Sequence, residues 1–107
     1  MKKAKFRIVI FGGYTEKNKY QEIDGYIVMS EEHNLNKDIV LSIHKKDSEW
    51  IGGEYQTGCR LASGSTRKNA IQNTINSIEK NGYKIFYNAI EGFINKYGIT
   101  NKIENRD

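Results

Sequence analysis

The stretch Thr57-Gly58-Cys59-Arg60-Leu61-Ala62-Ser63-Gly64-Ser65-Thr66-Arg67-Lys68 reads as strand, glycine turn and helix cap, and the run from Tyr55 to Ile78 around it decides the fold. Gly64 ends the extended segment, and Ser65 and Thr66 offer N-cap oxygens. Ile71, Ile75 and Ile78 then recur at the spacing of one helix face. A helix therefore begins here, with Arg67 and Lys68 in its first turn. The macrodipole already places partial positive charge at that end, so two cations there oppose it. An anion or an acidic partner relieves the conflict, which makes Arg60, Ser65, Thr66, Arg67 and Lys68 a candidate anion- or partner-binding cluster. The alternative is an ordinary cap whose basic side chains point into water. The glycine and lysine spacing of a P-loop is missing.

Working toward the N-terminus, Lys5 to Phe11 alternates Phe6, Ile8 and Ile10 on one face with Arg7, Val9 and Phe11 on the other, a central strand. Gly12-Gly13 ends it, and Tyr14 to Gln21 reads as a polar connection. A second strand follows over Ile23 to Ser30, with Gly25 marking a bulge or tight contact. Residues Glu31 to Lys37 are turn material, and Asp38 to Lys45 is a third strand with Ile39, Leu41 and Ile43 facing one way. Lys45-Lys46-Asp47-Ser48 makes the next turn. Gly52-Gly53 and Gly58 interrupt the stretch from Trp50 to Gly64, which reads as a bent hairpin returning over Tyr55 to Ala62.

Toward the C-terminus, a first helix is predicted over Thr66 to Lys80, closed by Asn81-Gly82. A second runs from Tyr83 to Tyr97 with Phe86, Ala89, Ile90, Phe93, Ile94 and Tyr97 on one stripe. Gly92 in that helix suggests a close approach to the sheet. The tail from Ile99 is polar and is expected to fray. Strands first and helices last imply an α+β domain spanning 1–107: an antiparallel sheet of about four strands followed by two C-terminal helices packed on one face. Ile71, Ile75, Ile78, Phe86, Ile90 and Phe93 are expected to form the core against Ile8 and Ile10. Val9, Phe11, Val40 and Trp50 either line a second apolar sheet face, which favours a homodimer or a protein target, or fill the edges of one core.

At 107 residues the chain is long enough to bury a modest core without staples, and its one cysteine, Cys59, cannot form an internal disulfide. No apolar run approaches the roughly 20 residues of a membrane span, so a cytoplasmic location is expected. The net charge of +4 is compatible with nucleic acid or an acidic protein surface and demands neither. The bias toward Lys, Asn, Ile and Tyr suits a low-GC bacterial, plasmid or phage origin.

Lys2, Lys3, Lys5, Arg7, Lys17 and Lys19 interleave with Tyr14 and Tyr20. Such a composition can track phosphates and stack bases; an edge strand protected by lysine explains it equally well. Of these, Lys5, Arg7, Tyr14, Lys17, Lys19 and Tyr20 form the second candidate surface, for nucleic acid or a partner. His33, His44 and Cys59 make no familiar zinc spacing, and Asp24, Asp38 and Asp47 sit beside turns, where aspartate caps backbone N–H groups. No catalytic set, metal site or cofactor is expected.

The segment Tyr55-Gln56-Thr57-Gly58-Cys59-Arg60-Leu61-Ala62-Ser63-Gly64-Ser65-Thr66-Arg67-Lys68-Asn69-Ala70-Ile71 resembles the HicB-like antitoxin pattern, in which a Gly-Cys pair enters a strand, a Gly-x-Thr turn follows and an Ala-containing helix packs on the sheet. It is also similar to the ends of small phage and mobile-element proteins. Arg67 and Lys68 stand where the HicB-like pattern has acidic residues, and no DNA-binding module follows Tyr97. The resemblance implies a fold and a protein-binding habit, and leaves operator binding in doubt. The expectation is a non-enzymatic binding protein of phage or mobile-element type. By analogy with small charged proteins of that origin, it inhibits a host defence nuclease complex, such as a CRISPR effector, by occupying a partner or nucleic-acid-binding surface. The alternatives are a HicB-like antitoxin that neutralises a small ribonuclease toxin, and a sponge or hydrolase for a nucleotide signal with Arg60, Arg67 and Lys68 around the phosphate.

Overall fold

A computed structural model describes residues 1–10 and 19–103. Five strands, β1 (Lys2–Ile10), β2 (Lys19–Met29), β3 (Val40–Lys46), β4 (Glu49–Glu54) and β5 (Cys59–Gly64), precede two helices, α1 (Arg67–Asn81) and α2 (Tyr83–Tyr97). Every neighbouring pair is antiparallel and the order is β1-β2-β3-β4-β5, a simple meander. The expected α+β class holds, with one strand more than the sequence suggested. The interrupted hairpin from Trp50 to Gly64 resolves into two strands, joined by a turn over 55–58 and offset by a register shift at Gly52/Gly53. The β3–β4 connection is a tight turn in which Asp47 takes a φ of 56°, a conformation that Asp tolerates better than most side chains.

Alternation divides the sheet into two faces. Val28, Leu41 and Ile43 point to one and meet Ile71, Ile75 and Ile78 of α1 and Phe86 of α2, with Ile39 completing the cluster. Gly52 is what lets α1 come so close. A Cβ there would collide with the Thr74 hydroxyl, which donates to the Ala70 carbonyl at 2.7 Å inside the helix. The N-cap is as the sequence dictates, Thr66 Oγ1 accepting from the Asn69 N–H at 3.1 Å.

Ile8 and Ile10 are not part of this core. The β1–β2 register sets Phe6, Ile8 and Ile10 against Ile23, Gln21 and Lys19, all on the face away from the helices; Ile8 is half-buried and Ile10 is 46% exposed. The same alternation splits another expected set, placing Val9 and Trp50 on the helix side and Val40 on the other face, where it is buried. Phe11 lies outside the described residues. In α2 only Phe86 is buried, whereas Ile90 and Phe93 are half-buried and Gly92 is exposed with open space around it, so it marks no close approach. Gly25 does mark one, lying against the Phe6 ring and the Ile43 carbonyl.

The meander curls until its two edges meet. The Val9 N–H of edge strand β1 donates to the Gly58 carbonyl, just before β5, at 3.0 Å. Gly58 sits at a φ of +77°, and a Cβ would lie 2.8 Å from the Arg7 carbonyl, so this junction requires glycine twice over. The tail does not fray here: Thr100 and Asn101 are buried, and both their N–H groups donate to the Gln56 carbonyl, at 2.8 and 3.1 Å. The result is a half-barrel, closed at one end by the 55–58 turn and residues 100–101.

Candidate functional site

Arg67 is exposed, yet it leans over two aromatic rings instead of extending freely. Its guanidinium lies 5.1 Å from the centroid of the Tyr26 ring and 5.6 Å from that of Trp50, and the Lys45 ammonium approaches Trp50 at 5.9 Å. The two rings are 6.3 Å apart and tilted by 46°. Strand register explains the grouping. Tyr26 pairs with Ile43, and Lys45 pairs with Trp50, which puts all four on the helix-covered face beside the α1 N-terminus. Arg67 is exposed and Trp50 and Tyr26 half-exposed, so the layered cations and rings form a platform open to a partner. The first-turn conflict with the macrodipole is eased for Arg67 because its head leans over the rings. Lys68, at the next position, stays exposed and keeps the conflict.

The anion cluster expected from sequence is thus divided. Ser65 and Thr66 serve the helix start, Ser65 Oγ accepting from Asn69 Nδ2 at 3.1 Å. Arg60 is elsewhere: it pairs with Gly53, whose side of the sheet is opposite to that of Gly52 and α1. There it lines the interior of the half-barrel with His44, Lys46 and Cys59. His44 is buried, and desolvation, reinforced by the Lys46 and Arg60 charges, holds its imidazole below the ordinary 6.5. Burial pushes the Cys59 thiol up, opposite to the shift a nucleophile needs.

The second expected surface is also rearranged. Lys5, Arg7 and Tyr20 share a face, but Lys19 is opposite Ile10 and points the other way; Tyr14 and Lys17 lie outside the described residues. Lys5 stands between Glu22 and Asp24 at 3.9 and 3.8 Å, so carboxylates interrupt the basic strip. Arg7 donates to the Thr100 carbonyl at 3.0 Å and lies 5.6 Å from the Tyr20 ring, which ties it to the closure of the half-barrel.

Other polar groups are structural. The buried Glu54 carboxylate accepts the Gln56 and Thr57 N–H groups at 2.9 and 2.7 Å and so caps the β4–β5 turn; desolvation raises its pKa against those bonds. Among the described residues no group of His, Cys, Asp and Glu could hold a metal ion, and no helix is long and apolar enough to cross a membrane. Two features escaped the sequence reading. The platform was signalled by the chain's only tryptophan, and the interior by the polar set Ser42, His44 and Lys46 alternating with Leu41 and Ile43. Comparison with protein-family models, with curated proteins and with solved structures finds no match.

Proposed function

We propose that the protein is a non-enzymatic binding protein of phage or mobile-element type that inhibits a host defence nuclease complex, such as a CRISPR effector, by occupying a partner or nucleic-acid-binding surface. The observation that carries this reading is the platform of Tyr26, Lys45, Trp50 and Arg67. Trp, Tyr and Arg are the residue types that dominate binding energy at protein interfaces, and here they are assembled and oriented before any partner arrives. Lys68 beside them adds a cation suited to an acidic surface. The test is target cleavage by a purified effector complex from a low-GC host. Wild-type protein should block cleavage, and Trp50→Ala with Arg67→Glu should release the block while the chain stays folded. Cleavage unaffected by the wild-type protein across such effectors would end this reading. Rescue of cells from a small ribonuclease toxin would point instead to the antitoxin suggested by residues 55–71.

A further inference from the structure

We propose that the interior of the half-barrel binds a medium-chain aliphatic carboxylate. The curled sheet encloses a cavity of about 370 Å³, within the range of small-molecule sites, with lining residues from all five strands. Its apolar wall is Ile8, Ile10, Ile23 and Ile51, contributed by β1, β2 and β4. Ile10 is 46% exposed and Ile8 and Ile23 are half-buried, so apolar surface faces the empty space and an alkyl chain would remove it from water.

The polar lining selects charge. Lys46 and Arg60 are cations, the Lys45 ammonium lying over Trp50 on the other face, and no Asp or Glu is among the described lining residues. Along β3 and β4, Lys46 is opposite Glu49, but no ion pair joins them among the described residues. An anionic head therefore meets uncompensated cations. Arg60 is exposed, and its planar guanidinium can take a carboxylate with two parallel hydrogen bonds.

The same lining argues against a nucleotide. No Phe, Tyr or Trp is among the described lining residues, and the one ring there, the His44 imidazole, is buried, so a base finds little to stack on, while a saturated chain suits four isoleucines. The site is on the face opposite the Trp50–Arg67 platform, so it stands or falls separately from the proposed function.

Titration calorimetry on the intact chain with decanoate tests the assignment, using 1-decanol and adenosine monophosphate as comparison probes. Decanoate should saturate one site per chain below about 1 mM, more tightly than either comparison. Arg60→Ala should weaken it about tenfold or more, by removing a charge-assisted bond. Ile10→Asp, a change at an exposed position, should abolish binding without unfolding the chain. Lys80→Ala removes an equal charge from the far end of α1 and should leave affinity unchanged. Absence of saturable decanoate binding to about 1 mM, equal affinity in Arg60→Ala, or tighter binding of adenosine monophosphate would each overturn the proposal.

Discussion

The side-chain amide of Asn101 pairs with the backbone of Arg7 in both directions: the Arg7 N–H donates to Oδ1 at 2.9 Å, and Nδ2 donates to the Arg7 carbonyl at 2.8 Å, across 94 residues of sequence. The amide thus imitates a strand on the free edge of β1. Its second Nδ2 proton goes to the Tyr55 carbonyl at 2.8 Å, so one side chain joins the edge strand to the β4–β5 turn. An edge that would otherwise offer unpaired N–H and C=O groups to another chain is covered from within.

Asn101→Ala should therefore destabilise the protein by about 2–3 kcal/mol, since backbone groups of Arg7 and Tyr55 lose partners near a closed junction. Asn95→Ala, at an exposed position on α2, should stay within about 0.5 kcal/mol of wild type. Urea unfolding of both variants checks this. Equal midpoints would mean that the half-barrel closes without Asn101.

Burial separates two phenylalanines that helical spacing treats alike. Phe86 is 6% exposed in the cluster with Ile75 and Ile78, and Phe86→Ala should cost about 3–5 kcal/mol. Phe93 is half-buried and packs on Tyr97 with centroids 4.9 Å apart, so Phe93→Ala should cost only about 1–2 kcal/mol. Paired chemical denaturation curves give the ordering, and equal losses would place Phe93 in the core after all.

Most of the fold was legible because local signals agreed. Thr66, Asn81-Gly82 and the Ile71-Ile75-Ile78 stripe bound α1 almost to the residue, and Ile39-Leu41-Ile43 marked the helix-covered side of β3. What failed was long-range. Phe6, Ile8 and Ile10 are as apolar as any core strand, and nothing local says that they line the inside of a curled sheet while the helices cover the other face. Residues 100–101 look like a solvated tail until the Arg7 edge is there to receive them. The candidate site suffered in the same way. Arg60 and Arg67 are neighbours in sequence, yet a strand and a glycine turn deliver them to opposite faces.

His44 should make stability depend on pH. Its folded pKa is depressed by burial and by Lys46 and Arg60, so the neutral form belongs to the folded state. The unfolded chain then binds a proton first as pH falls. Stability is complete above the ordinary 6.5 and is lost as pH drops through the depressed folded value. The raised pKa of Glu54 acts oppositely, with the folded state taking up its proton first as pH falls toward 4.5. In His44→Gln the loss below about 6.5 should vanish and the Glu54 contribution should remain. Thermal melts at closely spaced pH values distinguish the curves, and an unchanged profile would remove His44 as the titrating group.

Arg67 and Lys68 oppose the same dipole but should respond differently to reversal. Lys68 is exposed at the α1 N-terminus, so Lys68→Glu should stabilise by about 0.3–1 kcal/mol. Arg67→Glu makes a similar gain with the dipole but surrenders the stack on Tyr26 and Trp50, itself worth about 0.5–1 kcal/mol, and sets a carboxylate against two ring faces. Adding it to Lys68→Glu should therefore bring no further stability, where the sequence alone expects both changes to be neutral or favourable. Trp50 is the only tryptophan, so its emission reports the stack directly: Arg67→Glu should shift it, and Lys68→Glu should leave it in place. Thermal stability and emission measured on the two single variants and the double decide the matter. An additive gain with unchanged emission would mean that Arg67 stands free of the rings in solution and that the platform does not exist.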